Sequence, residues 1–143
     1  MSASHFEIRI GSESQKSEIY AKYPHTKLVI REGGALMVAV DGNEIIGFLW
    51  MFKRKISAPI DEYEWFINVI DVPDAANRCK GVASGLVKEA KRFAKSDGAY
   101  QISAYCDIAN IPSHMLWRKN GFAIQPAYGA DGAVVGSFVG FVL

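Results

Sequence analysis

The segment Arg78-Cys79-Lys80-Gly81-Val82-Ala83-Ser84 sets two basic side chains and a Gly where a strand-like run ending at Val72 gives way, through a polar loop, to an amphipathic helix. At such a junction unpaired N–H groups and the positive end of the helix dipole converge on one spot. Small residues at Gly81 and Ala83 let the oxygens of an anion approach the backbone, and Arg78 and Lys80 can add charge-assisted bonds. The chemistry this spacing favours is the binding of a phosphate-bearing ligand. Taken alone, the loop reads more readily as a plain turn with solvated basic residues. Ser84 is then only a first-turn residue, and Cys79 is either a reactive thiolate or an inert, semi-buried thiol.

A second chemistry-bearing stretch lies just upstream. If residues 62–72 form a strand, polar at its start and apolar at its end, then Glu64, Phe66, Asn68, Ile70 and Val72 share one face. Two polar groups, Glu64 and Asn68, thus look the same way. Other constellations fail. His5, His25 and His114 are scattered with no paired Cys, which argues against a metal site, and there is no Gly-x-Ser-x-Gly elbow. Lys53-Arg54-Lys55 reads as a basic loop, either solvated or facing an acidic partner or a ribose phosphate.

The elements that position these residues follow from periodicity. Phe6 to Ile10 alternates as a strand, Ser12 caps a polar helix over 13–22, and Tyr23-Pro24 stops it. A short strand is expected at 28–30. Residues 35–40 and 44–52 flank Asp41-Gly42-Asn43 as a hairpin, its second strand apolar at nearly every position and so interior to a sheet. A basic loop follows, ending at Pro59-Ile60. The helix at 82–97 carries a 3.6-residue apolar stripe and ends at Gly98. After it come a strand at 100–106, a turn at 107–112, a short helix at 113–119, a strand starting at 122–124, and a final apolar strand at 134–143. The order predicts an α/β or α+β fold, a mixed sheet with helices on its faces around one core.

Composition fits one globular domain, 1–143. Half of the 143 residues are hydrophobic and 22% charged, and the net charge of +1 gives no reason to expect nucleic acid or membrane as partner. The longest apolar runs fall short of the roughly 20 residues of a membrane-spanning helix. Two cysteines and an N-terminus without the order of a signal peptide point to a cytoplasmic protein with reduced thiols.

Arg78-Cys79-Lys80-Gly81-Val82-Ala83 resembles the pyrophosphate-binding signature Gln/Arg-x-x-Gly-x-Gly/Ala of the GNAT superfamily of acyl-CoA N-acyltransferases. Asn110 to Phe122 is similar to that family's Asn-x-x-x-x-x-x-Tyr-x-x-x-Gly-Phe element, and one helix and one strand separate the two, as in the family. The resemblance covers the whole chain in element order. It implies a mixed, mostly antiparallel sheet of about six to seven strands flanked by three to four helices, with acetyl-CoA as cosubstrate and direct transfer of the acetyl group to a small-molecule or peptide amine. It assigns Arg78, Cys79, Lys80, Gly81, Val82, Ala83 and Ser84 to the pyrophosphate, the backbone of Ile70, Asp71 and Val72 to the pantetheine arm and acyl carbonyl, Asn110, which reads equally as a turn or N-cap residue, to the pantetheine, and Trp117, at the family's Tyr position, to the cofactor site. The strand ending at Val72 should splay from the strand at 101–106.

Two departures from the family's pattern bear on mechanism. Pro73 lies further before Arg78 than in the family. The Tyr that protonates the departing thiolate falls on Trp117, whose indole N–H is a very poor acid. Attack by an amine also needs a group to take its proton. Glu64, with Asn68 holding a relay water, is the candidate base, and Tyr105 on the partner strand is a candidate for the missing Tyr; a solvated carboxylate and a packing tyrosine are the plainer readings. Trp117 keeps open a competing class, a GNAT-fold module that binds acyl-CoA without turnover. A homodimer is expected if the apolar last strand pairs with a second subunit.

Overall fold

The structure, a computed structural model, describes residues 5–143. The reading of the N-terminus rests in part on residues 1–4, which lie outside the described residues. Seven strands pair in the order β1-β2-β3-β4-β5-β7-β6. The chain divides into two compact units, one made of the chain up to Phe52 with Asn68–Ala90, the other of Lys53–Ile67 with Lys91–Leu143.

The first unit holds β1 (Glu7–Ile10), α1 (Glu13–Lys22), β2 (Ala35–Asp41), the first part of β3 (Glu44–Ser57), the end of β4 (Ile60–Asp71) and the start of α2 (Val82–Ser96). Ser12 begins α1 with a full capping box: its hydroxyl accepts from the Gln15 N–H, and the Gln15 side chain accepts from the Ser12 N–H. β2 and β3 form the expected hairpin, with Gly42 at φ 62° in its turn and Leu36 facing Trp50 across the ladder. Ile19, Leu36, Val38, Val40, Phe48 and Trp50 pack into the core of this unit. Each such side chain contributes about 1.5–3 kcal/mol by leaving water.

No strand forms at 28–30. Pro24 opens a 3-10 helix over Pro24–Leu28, fixed by the Thr26 hydroxyl donating to Tyr23 O, and Leu28 is left exposed while Ile30 is buried. Proline's fixed φ and missing N–H suit the first turn of a helix, which outweighs the β preference of the apolar triplet after it.

The second unit holds the end of β3, the start of β4, the end of α2, β5 (Gln101–Asp107), α3 (Ile111–Lys119), β6 (Ala123–Tyr128) and β7 (Val134–Val142). β4 and β5 run parallel over Glu64↔Gln101 to Ile67↔Ala104, where the ladder ends; β7 pairs antiparallel with β5 and with β6. Trp65 meets Phe93 of α2 edge-on and donates its indole N–H to Asp97 at 3.0 Å. Glu64 and Phe66 therefore look to the other face, with Gln101 and Ser103 beside them across the ladder.

Three expectations are corrected here. The basic run is not a loop: β3 continues to Ser57, and Lys53, Arg54 and Lys55 face Asp97, Glu64 and Asp61. α3 starts at Ile111, before Ser113, because Asn110 caps it and Pro112 sits in its first turn. The last strand, β7, has both edges taken by β5 and β6, so it cannot pair with a second subunit; the strand at that edge is β6, which carries Pro126.

Candidate active site

The polar loop after β4 is built from its own side chains. Asp74 accepts from the Ala76 N–H and caps a single 3-10 turn at Ala75–Asn77. Arg78 does not reach outward: its Nε donates to Val72 O at 2.9 Å and an Nη to Pro73 O at 3.0 Å, which pins the loop to the end of β4. Cys79 then takes a positive φ of 60° and Gly81 one of 83°, and the chain enters α2 at Val82. Cys79, Lys80 and Gly81 are exposed.

Two glycines shape this junction for different reasons. A Cβ on Gly81 would meet nothing within 4 Å, so its need is the left-handed backbone alone. A Cβ on Gly47 would come within 2.9 Å of the Val82 side chain and 3.3 Å of Asp71 O, so Gly47 lets β3 lie close under the end of β4 and the start of α2. Val82 is buried there, which leaves its N–H rather than its side chain at the helix N-terminus. Ile70, Asp71 and Val72 are half-buried, as are Ala83 and Ser84. Asn68 is exposed, with its side-chain amide 3.4 Å from Val29 O.

Glu64 belongs to the second unit and is not a free carboxylate. It is 5% exposed; Arg54 Nε donates to its Oε2 at 2.6 Å and Gln101 to its Oε1 at 2.7 Å. Burial by itself raises the carboxyl's pKa, but the hydrogen bonds from Gln101, Arg54 and Ser103 and the guanidinium charge outweigh burial and hold it below the usual range. A carboxylate held ionised in this way is a weak proton acceptor. The Ser103 hydroxyl is buried beside this carboxylate. The Arg54 guanidinium carbon lies 4.1 Å over the centre of the Phe66 ring. Arg54, Glu64, Gln101 and Ser103 line a cleft of about 320 Å³ whose other walls include Phe66, Phe138 and Val142. From sequence Arg54 is only one member of the basic run Lys53-Arg54-Lys55, since such a run gives no sign of which member has a buried partner.

Tyr105 does not line this cleft. It is 42% exposed, packs edge-on against Phe138 and places its hydroxyl 3.4 Å from Val135 O. Asn110 accepts from the Ser113 N–H as the cap of α3. Trp117 is 1% exposed, with its ring against Phe122 and its indole N–H without an acceptor. Close by, His114 sits with Nδ1 2.9 Å from Asn110 O and Nε2 3.0 Å from the Ser137 hydroxyl, a geometry that satisfies the ring as Nδ1–H donor and Nε2 acceptor. Buried Cys106 lies 3.2 Å from Nδ1. Among the described residues no three His, Cys, Asp or Glu side chains gather as a metal site, and no helix is long and apolar enough to cross a membrane.

The sequence profile described as the acetyltransferase (GNAT) family matches residues 4–122. The chain belongs to the GNAT acetyltransferase family. It is an N-acetyltransferase with acetyl-CoA as cosubstrate, acting on an amine. Solved structures agree in fold. An acetyltransferase of the GNAT family from Streptococcus pneumoniae superposes with a TM-score of 0.75 at 15% identity, over 97% of this chain and 100% of that one. A Bacillus subtilis acetyltransferase in complex with CoA gives 0.68 at 22% identity, over 95% and 96%. A GNAT family acetyltransferase from Elizabethkingia anophelis with acetyl-CoA bound gives 0.70 at 17% identity, over 96% and 98%. No curated protein is significantly similar in sequence.

Proposed function

We propose that the whole chain, 1–143, works as one acetyltransferase domain that holds the acetyl-CoA pyrophosphate on the backbone of residues 79–84. The observation that carries this reading is the pair of positive-φ residues, Cys79 and Gly81, which turn the chain directly into the N-terminus of α2. Lys80, exposed, supplies the charge for the phosphates. Arg78 serves the same site indirectly, by fixing the loop to Val72 and Pro73. The backbone of Ile70, Asp71 and Val72 holds the pantetheine arm and the acyl carbonyl. Asn110, whose side-chain oxygen is spent on the α3 cap, has its amide nitrogen left for the arm.

The chemistry is direct attack of a neutral amine on the thioester. Trp117 is a buried packing residue and supplies no acid. A thiolate is a far better leaving group than an alkoxide or an amide nitrogen, so the step proceeds with solvent as proton donor. Glu64, held ionised, orients groups in its cleft, and the proton of the amine leaves by water near Asn68. Two free thiols, one of them exposed, suit a cytoplasmic setting.

Gly81→Val tests the cradle. A β-branched residue cannot adopt φ 83° without strain and blocks approach to the amides. The acetyl-CoA dissociation constant, measured by titration calorimetry, should rise at least about tenfold, or 1.4 kcal/mol. An unchanged constant places the pyrophosphate elsewhere. CoA thiol release with a panel of amines then separates turnover from binding alone.

A further inference from the structure

We propose that the cleft over Glu64 recognises a carboxylate on the acceptor through Arg54, so that the acetylated amine belongs to an amino-acid-like molecule. The proposal rests on the acetyltransferase reading above and adds the acceptor's class to it.

Two contacts fix the guanidinium. Its Nε is tied to Glu64 at 2.6 Å and its plane lies over Phe66 at 4.1 Å. Gln101 donates to the other oxygen of Glu64 at 2.7 Å. Among the described residues the two terminal nitrogens of Arg54 make no hydrogen bond within the protein, in a side chain that lines the cleft and is 44% exposed against 7% for Glu64. The pair presents its positive end to the cleft and keeps its negative end beneath.

Such a fork, held rigid by an ion pair and an aromatic face, matches the planar, two-oxygen geometry of a carboxylate. Ser103, 8% exposed, lines the cleft with its hydroxyl toward Glu64 and so helps hold that carboxylate ionised beneath the guanidinium. A cationic head group is disfavoured, since Glu64 already has its counter-charge and Arg54 stands in front of it. Phe138 and Val142 on the rim favour an apolar side chain, and about 320 Å³ suits a small molecule.

The test needs no turnover. N-acetyl derivatives of apolar amino acids, their amides, and N-acetyl dipeptides are titrated into the protein by calorimetry. The acids should bind wild type at least tenfold more tightly than the matched amides. Arg54→Lys keeps a charge for Glu64 but lacks the fork, and should lose most of that preference. The double variant Arg54→Met with Glu64→Gln removes the pair without burying a lone charge, and should bind acid and amide alike. A preference shared by dipeptides supports the carboxylate and assigns it to a peptide terminus; one confined to single amino acids supports it and assigns it to a free amino acid. Equal binding of acid and amide to wild type, no binding of either, or a preference that survives in both variants overturns the proposal. Acetyl-CoA is titrated separately, and its failure to bind would sink the cosubstrate reading while leaving the acid-to-amide comparison intact.

Discussion

Glu64 illustrates how a single residue can be visible in a sequence while its state is not. Its place on a strand face follows from alternation, and its polar character marks it as a candidate base. What determines its chemistry is Arg54, ten positions earlier, which reaches it only because β3 runs on to Ser57 before turning back as β4. That register is set by pairing, not by any local propensity. The same ion pair makes stability depend on pH. Because the folded carboxyl sits below its unfolded value of about 4.3, the unfolded chain binds more protons in the window between the two. The stabilisation is present above that window and is lost as pH falls through it. In urea titrations the midpoint of wild type should therefore fall more steeply on acidification below about pH 5 than that of Glu64→Gln. Parallel curves for the two proteins would show that the pair does not stabilise the fold.

At the scale of elements, what the sequence announces are the pieces governed by neighbours in the chain. The capping box at Ser12 and Gln15, the hairpin turn at Gly42, and the end of α2 at Gly98 with φ 83° all depend on residues within a few positions. The pieces it hides depend on distant partners. Residues 53–57 are strand by pairing with β4, and the acids their basic side chains meet, Asp97, Glu64 and Asp61, come from elsewhere in the same unit. The place of β7 between β5 and β6 is equally hidden, since apolar strands carry no mark of their neighbours. One glycine records that packing. A Cβ on Gly136 would lie 2.4 Å from Cys106 O and 2.5 Å from the Tyr105 hydroxyl, so β7 can cross β5 there only without a side chain. Gly136→Ala should lower stability by about 1–3 kcal/mol, seen as a lower denaturant midpoint at unchanged slope. A midpoint equal to wild type would mean that the β5–β7 register is softer than described.

For the molecule as a whole, family membership was legible because two short motifs fall on the right elements in the right order, while the acceptor was not, because the cleft proposed to hold it is assembled from β3, β4, β5, β6 and β7. The same folding sorts the two cysteines. Cys79 stands on the exposed turn before α2, and Cys106 is buried beside His114. Native protein should therefore consume one equivalent of Ellman's reagent, and unfolded protein two; two fast equivalents in the native state would contradict the burial of Cys106. This sorting reaches into the bench work on the enzyme. A colorimetric reagent that counts liberated CoA also titrates Cys79, and in doing so attaches a bulky anion to the turn proposed to receive the cosubstrate. Assayed continuously with such a reagent, the enzyme would be progressively disabled by its own indicator, whereas a Cys79→Ser background or a stopped assay would report its true rate.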